Sequence, residues 1–314
     1  MTGGAGWRSQ DAPTTGIPTE EDDVLKTLIP GAVGIKDVAL PDAVALAART
    51  GFPGLHVDMR QCAAFAGEHG EAALGALFAG AGVRPATFPL PVNWRSDEEI
   101  ERDLAALPAL ATLADRLDCR CAATFVMPGS DERAYAENLR WHAERIRPAA
   151  AILGEHGIRL GLEFCGPESF RRPFAHPFLW TVAGAMTLAG EIGLPNVGLL
   201  LDAWHVFAGG GDVANLGGLG AGDVVLVHVC DAPAGVPLAE LQDLVRAEPL
   251  STGVIDLPAF VRALAAMGYD GPIASEPLGS RLDVLGAADP EAAARETSLA
   301  MDALLSGARA DATA

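Results

Sequence analysis

Eight times along this chain a short apolar run is followed by a stretch of helical or irregular character. The runs read GAVGI (31–35), GLHVD (54–58), VRPATF (83–88), CRCAATFVM (119–127), RLGLE (159–163), NVGLLLD (196–202), DVVLVH (223–228) and PIASE (272–276). Runs with no polar face are expected of parallel strands covered on both sides. Helices are predicted at LPDAVALAARTG, within 62–81, from about Asp97 to Leu117, from about Glu132 to His156, and at HPFLWTVAGAMTLAGEIG. A short helical or irregular stretch follows 196–202, and a long loop separates DVVLVH from LPAFVRALAAMG. A last helix is predicted from about Pro290 to Leu305. Gly51, Gly82, Gly157, Gly193 and Gly268 stand where helices should close in the left-handed conformation. Asp97 and Asp256 stand at N-cap positions.

Eight βα repeats point to the α/β class and to a single closed (β/α)8 TIM barrel rather than an open doubly wound sheet. An open sheet of the dinucleotide-binding kind would carry a glycine fingerprint in its first βα turn, and there is none. The GGLGAG run at 217–222 precedes a strand, so it reads as a connector. The 314 residues accommodate a barrel of about 250 residues with tails. The expected organisation is a flexible arm over 1–28, rich in Gly, Thr, Pro and acids, a barrel over 29–307, and a short tail over 308–314.

A formal charge of −19 and the lack of a dense basic run argue against nucleic acid as a partner. The start MTGGAGWRSQDAPTTG lacks the apolar centre of a signal peptide, and no apolar run reaches the ~18 residues of a membrane span. Five irregularly spaced cysteines, Cys62, Cys119, Cys121, Cys165 and Cys230, read as buried thiols rather than a disulfide framework. The expectation is a cytoplasmic protein, with no membrane partner, able to form a homo-oligomer.

The chemistry is concentrated at strand ends. Glu163, Asp202, His228 and Glu276 each close one of the last four apolar runs. In a barrel of this type the C-terminal strand ends converge on one mouth, where active sites lie. Three carboxylates and one imidazole form a mostly hard donor set. Such a set suits Mn²⁺, Mg²⁺ or Co²⁺, with Zn²⁺ also compatible, and leaves positions open for substrate.

The motifs GFPGLHVD (51–58), GLEFCGP (161–167), LLLDAWH (199–205), LVHVCDAP (226–233) and TGVIDLPAFVRALAAMGYDGPIASEP (252–277) resemble the xylose isomerase-like TIM barrels. That family includes sugar isomerases and epimerases, inosose dehydratases and hydroxypyruvate isomerases. The resemblance implies that Glu163, Asp202, His228 and Glu276 bind one divalent metal, and that His205 contacts substrate. It also implies that Asp231 supports the metal site from behind. Histidine at position 228 is similar to the epimerase and dehydratase branches. The epimerases carry an arginine six residues after that histidine; here the position is Ala234, and Arg246 in the same loop is the candidate substitute. Glu168, His56, Phe88 and Trp204 are further candidates for substrate contact.

The expected reaction is proton transfer beside a carbonyl, with Glu163 and Glu276 removing and returning the proton. Epimerisation, isomerisation and elimination of a β-leaving group all start from that step, so an isomerase or epimerase of a keto-sugar or polyol-derived ketone is the leading expectation. A dehydratase or lyase is the second. More remote are a phosphodiesterase of the endonuclease IV type, which needs more metal ligands and a basic face, and a non-catalytic partner subunit. One segment near the last two strands, Gly279-Ser280-Arg281, has the composition of a phosphate nest, but an unphosphorylated substrate is favoured.

Overall fold

The computed structural model describes residues 24–312, with side chains to Ala308. Eight parallel strands close into a barrel: β1 (Leu25–Leu28), β2 (Gly54–His56), β3 (Arg84–Pro89), β4 (Cys121–Val126), β5 (Arg159–Phe164), β6 (Val197–Asp202), β7 (Val224–Val229) and β8 (Pro272–Ser275). Each pairs with its sequence neighbour, and Leu25 of β1 pairs with Pro272 of β8 to close the ring. The helices are α1 (Leu40–Thr50), α2 (Met59–His69), α3 (Glu71–Ala81), α4 (Ile100–Arg116), α5 (Tyr135–Glu155), α6 (Glu168–Arg171), α7 (Val182–Ile192), α8 (Ala203–Ala208), α9 (Leu257–Ala266), α10 (Arg281–Ala288) and α11 (Pro290–Ala312).

The apolar runs become strands because both of their faces are covered. All six residues of β7 are buried, as are five of the six in β6. The helices turn one apolar stripe inward: Leu40, Ala43, Val44 and Ala47 in α1, and Leu257, Phe260, Val261 and Leu264 in α9. Cys121, Leu200, Val225 and Leu226 form a separate small cluster. They come from β4, β6 and β7, and β4 neighbours neither of the other two in the wall, so this cluster fills the barrel interior.

Several local expectations are corrected. The first strand is Leu25–Leu28, inside the expected arm; GAVGI instead falls across a 3-10 turn, Pro30–Val33, and the left-handed Gly34 after it. Lys26 and Thr27 interrupt the apolar signal, yet both are buried. The Lys26 ammonium is satisfied by Ser298 Oγ at 2.8 Å and Asp302 Oδ1 at 2.5 Å, both on α11, so a distant helix makes this strand possible. The rest of the arm, residues 1–23, lies outside the described residues. The helix expected within 62–81 is two helices broken at Gly70, whose φ of 88° no helix accepts. Asp97 does not cap α4; it pairs with Arg145 at 2.5 Å, whereas Asp256 does cap α9 through the Ala259 N–H. The last helix runs through the expected tail boundary to Ala312. All five cysteines are buried and unpaired, and no described helix is long and apolar enough to cross a membrane.

Candidate metal centre

The strand ends deliver the four candidate ligands to one place. Glu163 is the penultimate residue of β5 and Asp202 the last of β6; His228 lies in β7, in register with Asp202, and Glu276 directly follows β8. One donor atom from each lies within 4.8 Å of the other three. Among the described residues this is the one group of His, Cys, Asp and Glu so arranged. Glu163 Oε1 and both ring nitrogens of His228 are buried without a hydrogen-bond partner. Orphaned buried donors and acceptors are costly and rare, and a cation held by this oxygen-rich set would satisfy Glu163 Oε1 and one of the two His228 nitrogens. The residues therefore fit a divalent metal.

The two oxygens of Asp202 divide their work. Oδ1 accepts the Trp204 N–H at 2.9 Å and caps α8, while Oδ2 faces the site. Burial, with the nearby charges of Glu276 and Asp202, pushes the Glu163 carboxyl up to about 7. Burial also opposes ionisation of Glu276, but the charges of His228 and Arg246 outweigh it and hold that carboxyl well below the usual range. Burial opposes protonation of His228, yet Glu276 at 3.4 Å and Glu163 at 3.7 Å push it up to about 10. A metal at this site would have to displace that proton.

The loop between β7 and α9 supplies what a reading of the strands alone misses. Arg246 is 4% exposed. Its Nη1 donates to Asp202 Oδ2 and Glu276 Oε2, both at 2.9 Å, and its Nη2 to Asp243 Oδ1 at 3.1 Å. Asp243 was not anticipated; an aspartate and an arginine three apart in a loop carry no distinctive spacing. The face of Trp204, 5.5 Å from the guanidinium carbon, backs the same cation, so this fully buried tryptophan acts through Arg246.

Asp231 does not face the ligand cluster. Its fully buried carboxylate accepts backbone N–H groups of Ala232, Thr252, Gly253, Val254 and Ile255 at 2.7–3.1 Å. Its own backbone exchanges two hydrogen bonds with Ala247, the residue after Arg246. Asp231 is thus the knot that ties down the loop carrying the arginine. Replacing it with alanine leaves buried N–H groups unpaired, and a loss of about 2–4 kcal/mol in unfolding free energy is expected, read by denaturant titration. Asp231→Asn, which keeps an acceptor, should lose less; equal stability of all three proteins would contradict this role.

His205 lies on the floor of the site. The Gly166 N–H donates to its Nδ1 at 3.2 Å, and its Nε2 lies 3.4 Å from Arg246 Nη2 and 3.8 Å from both Glu163 Oε1 and Asp202 Oδ2. Burial lowers its pKa to about 4, so the ring is neutral at physiological pH. A Cβ at Gly166 would come within 2.1 Å of the His205 carbonyl oxygen, so only glycine lets the loop after β5 meet α8. His56 Nδ1 is 2.8 Å from Thr87 Oγ1, and burial, then the charge of His228, lowers its pKa to about 4. Glu168 is drawn to the surface by Arg172 at 3.2 Å. Phe88 is 1% exposed and belongs to the core.

A cavity of about 670 Å³ opens over the centre, with Glu163, His205, Arg246 and Glu276 in its floor. His56, Glu168, Phe88 and Trp204 are not among its walls. A second cavity, of about 640 Å³, opens at the opposite end of the barrel beside Lys26, Arg84 and Asp118, and holds none of the four ligands. The chemistry belongs to the first.

A family model described as xylose isomerase-like TIM barrel matches residues 44–304. The chain belongs to this family. Another xylose isomerase-like barrel, a xylose isomerase domain protein from Alicyclobacillus acidocaldarius, superposes with a TM-score of 0.79 at 30% identity, over 91% of this chain and 99% of that one. The IOLI protein, solved with a zinc atom, superposes at 0.73 with 18% identity, over 90% of this chain and 98% of that one. At that identity the likeness is one of fold. The inosose isomerase of Bacillus velezensis is 27% identical over 161 residues, 51% of this chain and 54% of that protein. That of Bacillus subtilis is 28% identical over 127 residues, 40% of this chain and 42% of that protein. The matched part of this xylose isomerase-like barrel therefore spans about half the length of these relatives.

Proposed function

We propose that the protein is a divalent-metal-dependent isomerase or epimerase that moves a proton on the carbon beside the carbonyl of a keto-sugar or polyol-derived ketone. The observation that carries this reading is the convergence of donor atoms from Glu163, Asp202, His228 and Glu276 within 4.8 Å of one another, with Glu163 and Glu276 lining a cavity. When bound there, a divalent cation supplies Lewis-acid withdrawal of electrons from substrate oxygens. Mn²⁺ is the first candidate from the donor set; the zinc-containing IOLI structure keeps Zn²⁺ in play.

Glu163 and Glu276 are the proton carriers. They stand on strands three apart in the barrel wall, so they reach a bound substrate from different sides. Both carboxylates line the cavity, so each is within reach of a substrate held there. In this reading the neutral His205 hydrogen-bonds a substrate oxygen through its ring. Arg246 compensates negative charge that develops as the C–H proton leaves. The names of the relatives agree with this chemistry: inosose isomerases among the sequences, D-psicose and L-ribulose 3-epimerases among the barrels of like fold.

The test is α-proton exchange in D₂O, followed by proton NMR, over a panel of inososes, keto-hexoses and oxidised glycosides with Mn²⁺ or Zn²⁺ at saturation. Exchange with at least one compound, abolished by EDTA and restored by metal, is the expected result. A metal-loaded protein that exchanges none of them contradicts the reading. A product lacking a β-substituent would assign the lyase outcome of the same proton step.

A further inference from the structure

The cavity over the centre is divided chemically. Its ionisable groups are Glu163, His205, Asp243, Arg246 and Glu276, and the rest of its wall is mostly apolar: Phe125, Phe170, Leu244, Val245 and Leu278, with Cys165, Ser169 and Gln242 beside them. Phe125, Leu244 and Val245 are 45%, 67% and 49% exposed. They are three of the ten large hydrophobic residues exposed among the described residues, and all three face this one cavity. A sugar alone makes poor use of such a wall. The volume, about 670 Å³, is more than one keto-hexose needs and falls within the roughly 300–1,000 Å³ of sites for larger organic ligands.

The wall is held rigidly. Phe125 is in register with Glu163 on the neighbouring strand, so aromatic ring and proton carrier stand side by side. The Arg95 guanidinium lies between the rings of Phe125 and Trp94, at 4.1 and 4.0 Å, and donates to the Phe125 carbonyl. Opposite, the Arg246 N–H bonds Leu278 O at 2.9 Å. A Cβ at Gly279, where φ is +68°, would lie 1.7 Å from the Leu244 carbonyl oxygen, so the two loops meet backbone to backbone. Exposed apolar groups fixed this way form a pre-organised surface, which lowers the ordering cost of binding.

An anionic substituent is disfavoured by the same loops. In the Gly279-Ser280-Arg281 segment, the Gly279 N–H already donates to Asp283 and the Leu282 N–H to Ser280 Oγ. Arg281 is paired with Glu248 and Glu296. The donors of this segment are thus taken up by the chain's own groups.

We propose that the substrate is a keto-sugar or polyol-derived ketone bearing an uncharged apolar substituent of aromatic size. The substituent packs between Phe125 and the Leu244–Val245 segment while the ketone end faces Glu163 and Glu276. This rests on the proton-transfer reading above for the ketone end only.

The test compares 3-keto-glucose with its phenyl β-glycoside on the Mn²⁺-loaded protein, by calorimetric titration and by α-proton exchange in parallel. The phenyl compound should bind about tenfold tighter or more, the expected gain for burying one ring against a partly open wall. Phe125→Ala combined with Leu244→Ser should bring the ratio of the two dissociation constants close to one. Equal affinity of the wild-type protein for both compounds overturns the inference, whatever the exchange shows. Tighter phenyl binding without exchange of either compound supports the apolar subsite while contradicting the proton-transfer reading. A dimer that Leu244→Asp dissociates, with equal affinity for both probes, would assign the wall to a second copy of the chain and overturn the inference.

Discussion

Glu276→Gln is expected to lower metal-saturated α-proton exchange by about 1,000-fold, within the 10²–10⁴ range typical of losing a positioned acid–base group. The substitution keeps the shape of the side chain and removes its charge. Glu276 Oε2 is the shared partner of Arg246 at 2.9 Å and His228 at 3.4 Å. An amide oxygen still accepts a hydrogen bond from the guanidinium but cannot take up a proton at neutral pH. It also removes one of three negative charges from the ligand set, so metal should be lost more readily on dialysis. Elemental analysis separates the two effects: exchange is compared only at metal levels where occupancy is equal. Glu163→Gln should lose exchange to a similar degree, because its carboxylate is the other proposed proton carrier. Retention of exchange within tenfold in both variants would remove the carboxylates from the chemistry and leave them as ligands alone.

Arg246→Met is expected to produce two opposite changes. The buried guanidinium neutralises Asp202 and Glu276 with two contacts of 2.9 Å and a third, of 3.1 Å, to Asp243. Removing one partner of a buried ion pair typically costs about 3–5 kcal/mol, because the remaining charge is left uncompensated. The EDTA-treated variant should therefore melt roughly 5–10 °C below the wild type. Divalent cations should bind it about tenfold tighter or more, because Nη1 no longer shares the Asp202 and Glu276 oxygens with the metal. Calorimetric titration with Mn²⁺ and melting curves with and without metal measure both. Unchanged melting of the EDTA-treated protein together with unchanged Mn²⁺ affinity would show that Arg246 does not balance this cluster.

The convergence of the four candidate ligands was legible because each terminates an apolar run, and a charged residue there has few places to go except the mouth of a barrel. His205 was singled out only through the resemblance of LLLDAWH (199–205) to the family's motif. Phe88 shows the limit of that logic: it too lies near a strand end, but the structure places it in the core, 1% exposed. Strand periodicity alternates faces, and the register shift between β2 and β3 beside it is not written in the run VRPATF. Glu168 failed differently, since Arg172 one helical turn later claims it at the surface. The first strand escaped notice because its lysine is compensated by α11, more than 270 residues away in sequence.

The amino-acid order by itself determined the repeating βα units, the closed barrel they build and the quartet at its mouth. All of these follow from patterns within a few residues, where a side chain's neighbours at i+2, i+3 and i+4 decide which face is buried. Tertiary structure alone decided that Arg246 balances the quartet, that Asp231 ties its loop, and that Phe125 and Leu244 form one wall. Those partners lie 16 to 119 residues apart in sequence, and only the closed ring of strands brings them to one end of the barrel.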